Sequence, residues 1–301
     1  MRSPNPYPGG EYSVRPGEWE QAWARELKLG AFPPRSTSVL HRRPWAVLLL
    51  LGGLATAGVQ EKPATLVSVQ KGTIPVILTA PHGGGEAIPG VPERKTGVKV
   101  RDLGTREVAE ATAKELEEKL GGKPYLVVAL FHRKYADANR KEEEALEDDG
   151  AKAPYRAYHA AVREAVDEIR KKWPKGALLV DVHGQGAEAD TVFRGTQNGK
   201  TVEKLLQRFQ TAALTGPRSV FGGLEARGFK VVPPGNAPAD QKEDGRFNGG
   251  FTVQTYGSHA AEGIDAIQIE LGSDLRQKRR TETAKGLAES IAAFVGEYAK
   301  E

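Results

Sequence analysis

The sequence predicts an α/β fold: a single domain with a mostly parallel mixed sheet flanked by helices. Three observations predict it. Short runs of aliphatic and β-branched residues recur along the chain, several of them apolar throughout, as strands covered on both faces are. Amphipathic helical stretches separate these runs. The residues that carry chemistry collect at the ends of the runs, where open sheets of this kind bind ligands. A chain of 301 residues can form one large domain or two small ones around a sizeable core. Its 39% hydrophobic and 27% charged content is ordinary for a globular protein. No internal repeat or coiled-coil heptad is visible.

The elements follow in order from about Gly58. "TLVSVQ" (65–70) and "IPVILTA" (74–80) read as strands, the second nearly continuous in apolar character. "TREVAEATAKELEEKLGG" (105–122) reads as a helix, with Ala109, Ala113, Leu116 and Leu120 at helical spacing and a glycine pair to stop it. "YLVVALF" (125–131) is another buried strand. The helix "YRAYHAAVREAVDEIRKKW" (155–173) puts Tyr158, Val162, Val166 and Ile169 on one face and ends at Pro174. "ALLVDVH" (177–183) and "AIQIEL" (266–271) are two further buried strands, and a last helix runs from about Arg280 to Tyr298.

The front of the chain reads as a targeting segment. "HRRPWAVLLLLGGLATAG" has a basic flank at Arg42 and Arg43, an apolar run from Trp45 to Leu54, and small residues at Ala55, Ala57 and Gly58. That is the three-part layout of a secretory signal peptide, and the apolar run is short for a bilayer. We expect a signal peptide at 39–57 and an exported, periplasmic or extracellular product with no stable membrane span after cleavage. An anchor formed by residues 45–57 is the competing reading. Residues 1–38 are rich in Pro, Gly and Arg without periodicity, and Met1 is the only methionine. We therefore expect translation to start near Val39 or Leu40, with 1–38 an untranslated or disordered extension. The chain has no cysteine, so an exported domain of about 240 residues must rest on its hydrophobic core alone.

Charge excludes one class of partner. Residues 1–57 hold seven Lys/Arg and four Asp/Glu, which leaves 36 and 35 in the remainder. A domain so close to neutrality, without a basic stripe, offers nothing to a phosphate backbone, and nucleic acid is not an expected partner.

Three apolar strands end in potential metal or acid–base residues: "VILTAPH" in His82, "LLVDVH" in His183 and "AIQIE" in Glu270. A fourth, "VVALFHRKYADANR", runs into His132, Arg133, Asp137, Asn139 and Arg140. One histidine at a strand end is usually structural, but four chemically equipped strand ends describe an active site. Zinc takes imidazole and carboxylate ligands, three from the protein in catalytic sites. His82, Glu86 and His183 would supply them, with Gly83, Gly84 and Gly85 folding the loop back so that His82 and Glu86 converge. Asp181, two residues before His183 and on the same side of its strand, is the substitute for Glu86. The loop lacks the Lys-Ser/Thr ending of a phosphate-binding P-loop.

"PHGGGEAIPG", the Asp and Thr of "RDLGT", "HRKYADANR", "DVHGQG" and "GIDAIQIEL" together resemble the N-formylglutamate amidohydrolase family, relatives of the zinc carboxypeptidases and phage poly-γ-glutamate hydrolases. The similarity runs from about Ile74 to Arg276, with the blocks in the family's order. It implies a zinc-carboxypeptidase-like (phosphorylase/hydrolase-like) fold, residues 58–301 as a zinc-dependent amidohydrolase domain, and one Zn2+ per chain. By resemblance His82, Glu86 and His183 are the metal ligands, and Glu270 is the general base for a zinc-activated water. Asn139 and Arg140 grip a substrate carboxylate, and Asp137 orients the first zinc histidine, with Asp181 also behind the ligands. Arg133 stabilises the oxyanion, with Arg194 of "VFRGTQNG" as its rival. The His–Glu spacing is four residues here against three in the carboxypeptidases, so Glu86 is the least secure ligand.

The expected activity is hydrolysis of an amide bond in a carboxylate-bearing small molecule or peptide: an N-acyl amino acid such as N-formylglutamate, a γ-glutamyl chain or a cell-wall peptide. The alternative is a catalytically inactive, secreted binding domain of the same fold. His132 and His259 are either pocket or packing residues, and His159, beside Tyr158, is expected to pack in the core. "KEEEALEDDG" (141–150) reads as a solvated loop or one wall of the entrance, and "GSHAAEG" (257–263) as a lip over the site or a plain loop.

Overall fold

A computed structural model describes residues 65–174, 176–237 and 241–299. These fall within one compact unit, Ala64–Glu301. The extension expected at 1–38 and the signal peptide expected at 39–57 lie outside the described residues. Among the described residues no helix is long and apolar enough to cross a membrane.

Seven strands form one mixed sheet: β1 (Val67–Gln70), β2 (Val76–Ala80), β3 (Tyr125–Ala129), β4 (Leu178–Gly184), β5 (Thr191–Gly195), β6 (Lys230–Val232) and β7 (Asp265–Leu271). Their order is β1-β3-β2-β4-β7-β5-β6. The central pairs β3–β2, β2–β4 and β4–β7 are parallel, and antiparallel pairing enters at β1–β3 and β5–β7. The single-domain mixed α/β sheet expected from the sequence is what the chain forms.

Alternation along the strands feeds two helical layers. Val76, Leu78 and Ala80 of β2, Val180 and Val182 of β4 and Ile267 and Ile269 of β7 share one core. Over it lie Val108, Ala109, Ala113 and Leu116 of α1 (Thr105–Leu120), and Leu287, Ile291 and Phe294 of a later helix, Arg280–Tyr298. The opposite face, with Ile77, Val127, Leu179 and Ala266, packs on Tyr158, Val162, Val166 and Ile169 of α2 (Lys152–Lys172). All four residues expected on that helix face are buried. Burying such side chains supplies roughly 1.5–3 kcal/mol each before entropy is counted.

β5 and β6 were not legible as strands. β5 has five residues, two of them Arg194 and Gly195, and β6 has three, too short for a periodic signal. Pairing with β7 makes β5 a strand.

This second face changes character toward the carboxyl ends of the strands. Ile77 gives way to Thr79, Leu179 to Asp181 and His183, and Ala266 to Gln268 and Glu270, each two residues further along the same face. Register aligns them in rows: Thr79 with Asp181, Asp181 with Gln268, and His183 with Glu270. The sheet thus builds a core and then a site from one periodicity.

Candidate metal centre and active site

Two histidines meet at the carboxyl end of the sheet. His82 follows β2 and His183 lies near the end of β4, each 2% exposed, their ring centroids 4.8 Å apart. The carboxylates behind them set both rings. His82 Nε2 lies 2.7 Å from Asp137 Oδ1, and His183 Nε2 lies 2.9 Å from Asp181 Oδ2. Asp137 is itself held by Arg133 Nη2 at 2.7 Å and the Asn139 backbone N–H at 3.0 Å. Asp181 accepts from Thr79 Oγ1 at 2.6 Å. Each Nε2 that donates to a carboxylate leaves its Nδ1 as a lone-pair donor.

Both Nδ1 atoms face Asp102. Its Oδ2 lies 3.4 Å from His82 Nδ1 and 3.5 Å from His183 Nδ1. Ligand atoms of His82, Asp102 and His183 all lie within 4.8 Å of one another, and the three residues are buried. Asp102 is placed by its backbone: its N–H donates to the His82 carbonyl at 3.1 Å, and its own carbonyl accepts from Thr105 at the start of α1. Gly104, between them, has φ 87°, and a Cβ there would sit 2.4 Å from the Arg276 carbonyl oxygen. Asp102 belongs to the "RDLGT" block, but nothing in the sequence marks it as a ligand. The available signal was an acid just before a glycine-started helix.

The structure does not bring Glu86 to this cluster. Its backbone pairs with the continuation of β3, through Glu86 N to the Leu130 carbonyl at 2.9 Å and His132 N to the Glu86 carbonyl at 2.8 Å, and its side chain is exposed. Nor do the three glycines fold the loop back, since none has a positive φ. They permit close approach: a Cβ on Gly84 would meet the Leu130 carbonyl at 2.3 Å, and one on Gly83 the Arg106 nitrogen at 2.6 Å.

The remaining expected residues divide. Glu270, His82, His183, Arg133, Asn139 and Arg140 border one cavity of about 540 Å³, joined there by Asp102, which was not among the expected residues. Burial pushes the Glu270 carboxyl up to about 7. Burial also pushes up Asp102 and Asp137, but the facing histidines and Arg133 outweigh it and hold both well below the ordinary carboxylate range. Burial works against charge on His183, yet Asp181 and Asp102 raise its pKa well above the ordinary value. Asn139 is committed: its Oδ1 accepts from the Thr252 N–H at 2.8 Å and its Nδ2 lies 3.3 Å from His183. Arg140 is exposed at the mouth, with Nη1 on the Asn139 carbonyl at 2.8 Å. Arg194 is absent from the cavity wall. It stands in register with Ile269 rather than Glu270, on the other face of the sheet, and its Nε donates to Glu243 at 2.9 Å.

Lys141 and Glu144 of the acidic stretch line the cavity. That stretch is pinned at Glu147, whose carboxylate accepts from Lys95 N at 2.6 Å and from Thr96 N at 2.8 Å. "GSHAAEG" precedes β7 and so sits at its amino end. Ser258, Glu262 and Gly263 line a separate cavity of about 910 Å³ together with Ala177 and Asp265, where β4 and β7 begin. It is not a lip over the site, and His259 lies in the same turn. His159 packs among Tyr155, Tyr158, Phe251 and Tyr256. His132 accepts from the Lys134 N–H at 3.1 Å and lies outside the cavity wall.

Part of the chain that builds this site matches a known family in sequence. The chain resembles the N-formylglutamate amidohydrolases. That family's model matches residues 150–276, a stretch holding His183 and Glu270. No curated protein matches the chain. Among solved structures, a gene product of Agrobacterium tumefaciens aligns with a TM-score of 0.51 at 16% identity, over 78% of this chain and 97% of its own. This likeness establishes a shared fold. The N-formylglutamate amidohydrolase of Ralstonia eutropha JMP134 aligns at 0.49 and 17% identity, over 78% of this chain and 98% of its own. A bacteriophage poly-γ-glutamate hydrolase aligns at 0.38 and 15% identity, over 79% and 92%.

Proposed function

We infer that the chain is a metal-dependent amidohydrolase acting on a carboxylate-bearing substrate, of which N-formylglutamate and γ-glutamyl or cell-wall peptides are examples. One observation carries the inference: two imidazole nitrogens and a carboxylate oxygen converge within 4.8 Å in the same cavity as a buried glutamate. The donor set fits a divalent cation. His82 Nδ1 is buried without a hydrogen-bond partner among the described residues, which is costly unless a ligand meets it. Among the described residues four buried carboxyl groups, on Asp102, Asp137, Asp181 and Glu270, gather here against two buried guanidiniums, Arg133 on Asp102 and Asp137 and Arg94 on Asp137 at 3.7 Å, an excess of acid that a dication would correct. Mixed nitrogen and oxygen ligands favour one zinc ion per chain, held by His82, Asp102 and His183. Asp102 takes the place expected for Glu86, while Asp137 and Asp181 orient the two rings. A cation held there supplies polarisation of the scissile carbonyl and acidification of the attacking water.

The chain's own residues do the rest. Glu270 accepts the proton of the attacking water and returns it to the departing nitrogen, a role suited to a carboxyl whose pKa is near 7. Arg133, anchored on Asp137 and Asp102, keeps its buried Nε without a partner among the described residues and borders the cavity to meet the developing oxyanion. Arg140, with one donor on the Asn139 carbonyl, uses the rest of its fork for the substrate carboxylate. Asn139 holds the wall of the cavity rather than the substrate. The signal-like residues 39–57 support a site of action outside the cytoplasm.

The test is a panel of N-acyl amino acids, γ-glutamyl peptides and cell-wall peptides offered to the zinc-loaded chain, with metal content measured in parallel. Turnover that is lost to chelator and restored by zinc is the expected result. Absence of any bound transition metal overturns the reading. Stoichiometric zinc without cleavage of any substrate makes the chain a binding domain.

A further inference from the structure

We propose that Gln268 is the positioning residue of the general base, coupling the Glu270 carboxylate to the wall of the substrate cavity. The proposal rests on the hydrolytic reading above. Gln268 and Glu270 lie two apart on β7 and so share a face, and Gln268 is 3% exposed. Its side-chain oxygen accepts from the Gly250 N–H at 2.7 Å. Since a backbone N–H can only donate, this contact assigns the amide orientation and turns Nε2 toward Glu270. That nitrogen donates to Glu270 Oε1 at 2.9 Å. Among the described residues it is the one hydrogen bond the Glu270 carboxylate receives.

The geometry has two consequences. A buried carboxylate with no anchor would choose among rotamers, and general-base catalysis depends on placement at the ångström level. Gln268 removes that freedom at one oxygen and leaves the other for the water. It also ties the base to the segment Phe247–Phe251, which lines the cavity. Asn139 makes the parallel connection, holding Thr252 N while reaching His183. The start of the helix Phe251–Tyr256 is thus docked on two side-chain amides, each of which also touches a site residue.

Two variants separate positioning from scaffolding. Gln268→Leu removes both contacts. Gln268→Glu keeps an acceptor for Gly250 N but replaces the donor to Glu270 with an oxygen that repels it. With a substrate cleaved by the wild type, we expect both variants to fold, to bind one metal ion, and to keep KM within about twofold while kcat falls roughly 10–100-fold. If Gln268→Leu does not fold, Gln268→Glu decides alone. Wild-type kcat in Gln268→Glu, or a loss confined to KM, overturns the proposal and leaves Gln268 as scaffold. A wild-type chain that hydrolyses nothing in the panel overturns the hydrolytic reading itself, and the proposal with it.

Discussion

Asp102 and Glu86 compete for the same role, and their surroundings separate them. Asp102 is buried with Oδ2 facing both Nδ1 atoms, whereas Glu86 is exposed with its backbone committed to the continuation of β3 at Phe131. Asp102→Asn is therefore expected to weaken metal binding by about 10-fold or more and Glu86→Gln to leave it unchanged, as read by titration with a competing chelator. Loss on Glu86→Gln instead would return the ligand to the position expected from sequence. Glu270 carries a second prediction. Burial raises its pKa to about 7, and only the ionised form accepts a proton, so turnover falls as pH drops through that value. A nearby dication favours the charged form, so the acid limb of the loaded enzyme has its midpoint at or below about 7. Glu270→Gln should abolish that limb and lower kcat by about 10²–10⁴ with metal retained. Wild-type kcat in Glu270→Gln with metal retained would remove Glu270 from this role.

At the scale of elements, two features hold the strand ends together. The glycine loop after β2 passes too close to Leu130 for any side chain at Gly84. Gly84→Ala is expected to cost about 1–3 kcal/mol, measurable by urea unfolding. Arg276, 1% exposed, donates to the carbonyls of Leu103, Gln185 and Leu271. Each carbonyl lies one or two residues beyond Asp102, His183 or Glu270, so one guanidinium gathers the three segments that carry them. Arg276→Met leaves those acceptors without a charged donor and is expected to lower unfolding stability by about 3 kcal/mol or more, with weaker metal binding. An unchanged metal affinity would confine Arg276 to the core. The long elements were legible because their apolar residues repeat at 3.6 or at near-continuous spacing, as Tyr158, Val162, Val166 and Ile169 do. β5 and the Arg276 clamp were not, because short strands and backbone-directed contacts leave no periodic trace.

For the whole molecule, metal and fold should be linked. The proposed ligands come from the end of β2, the approach to α1 and β4, so a cation held by them would cross-link segments distant in sequence and bind the folded chain alone. At a free concentration of 100 Kd it adds about 2.7 kcal/mol, which for a domain of this size raises Tm by about 5–10 °C. Calorimetry with and without zinc checks this, and an unchanged Tm would argue against the site. Periodicity and strand-end chemistry were enough to specify a mixed α/β sheet with His82, His183 and Glu270 at its carboxyl edge, because side-chain alternation and chain direction are local properties. Packing alone chose the carboxylate that joins the histidines. Asp102 reaches them only when α1 docks beside β2 and β4, and Glu86 is turned outward only when its backbone pairs with the segment that continues β3. Those are long-range contacts, and neighbouring residues do not encode them.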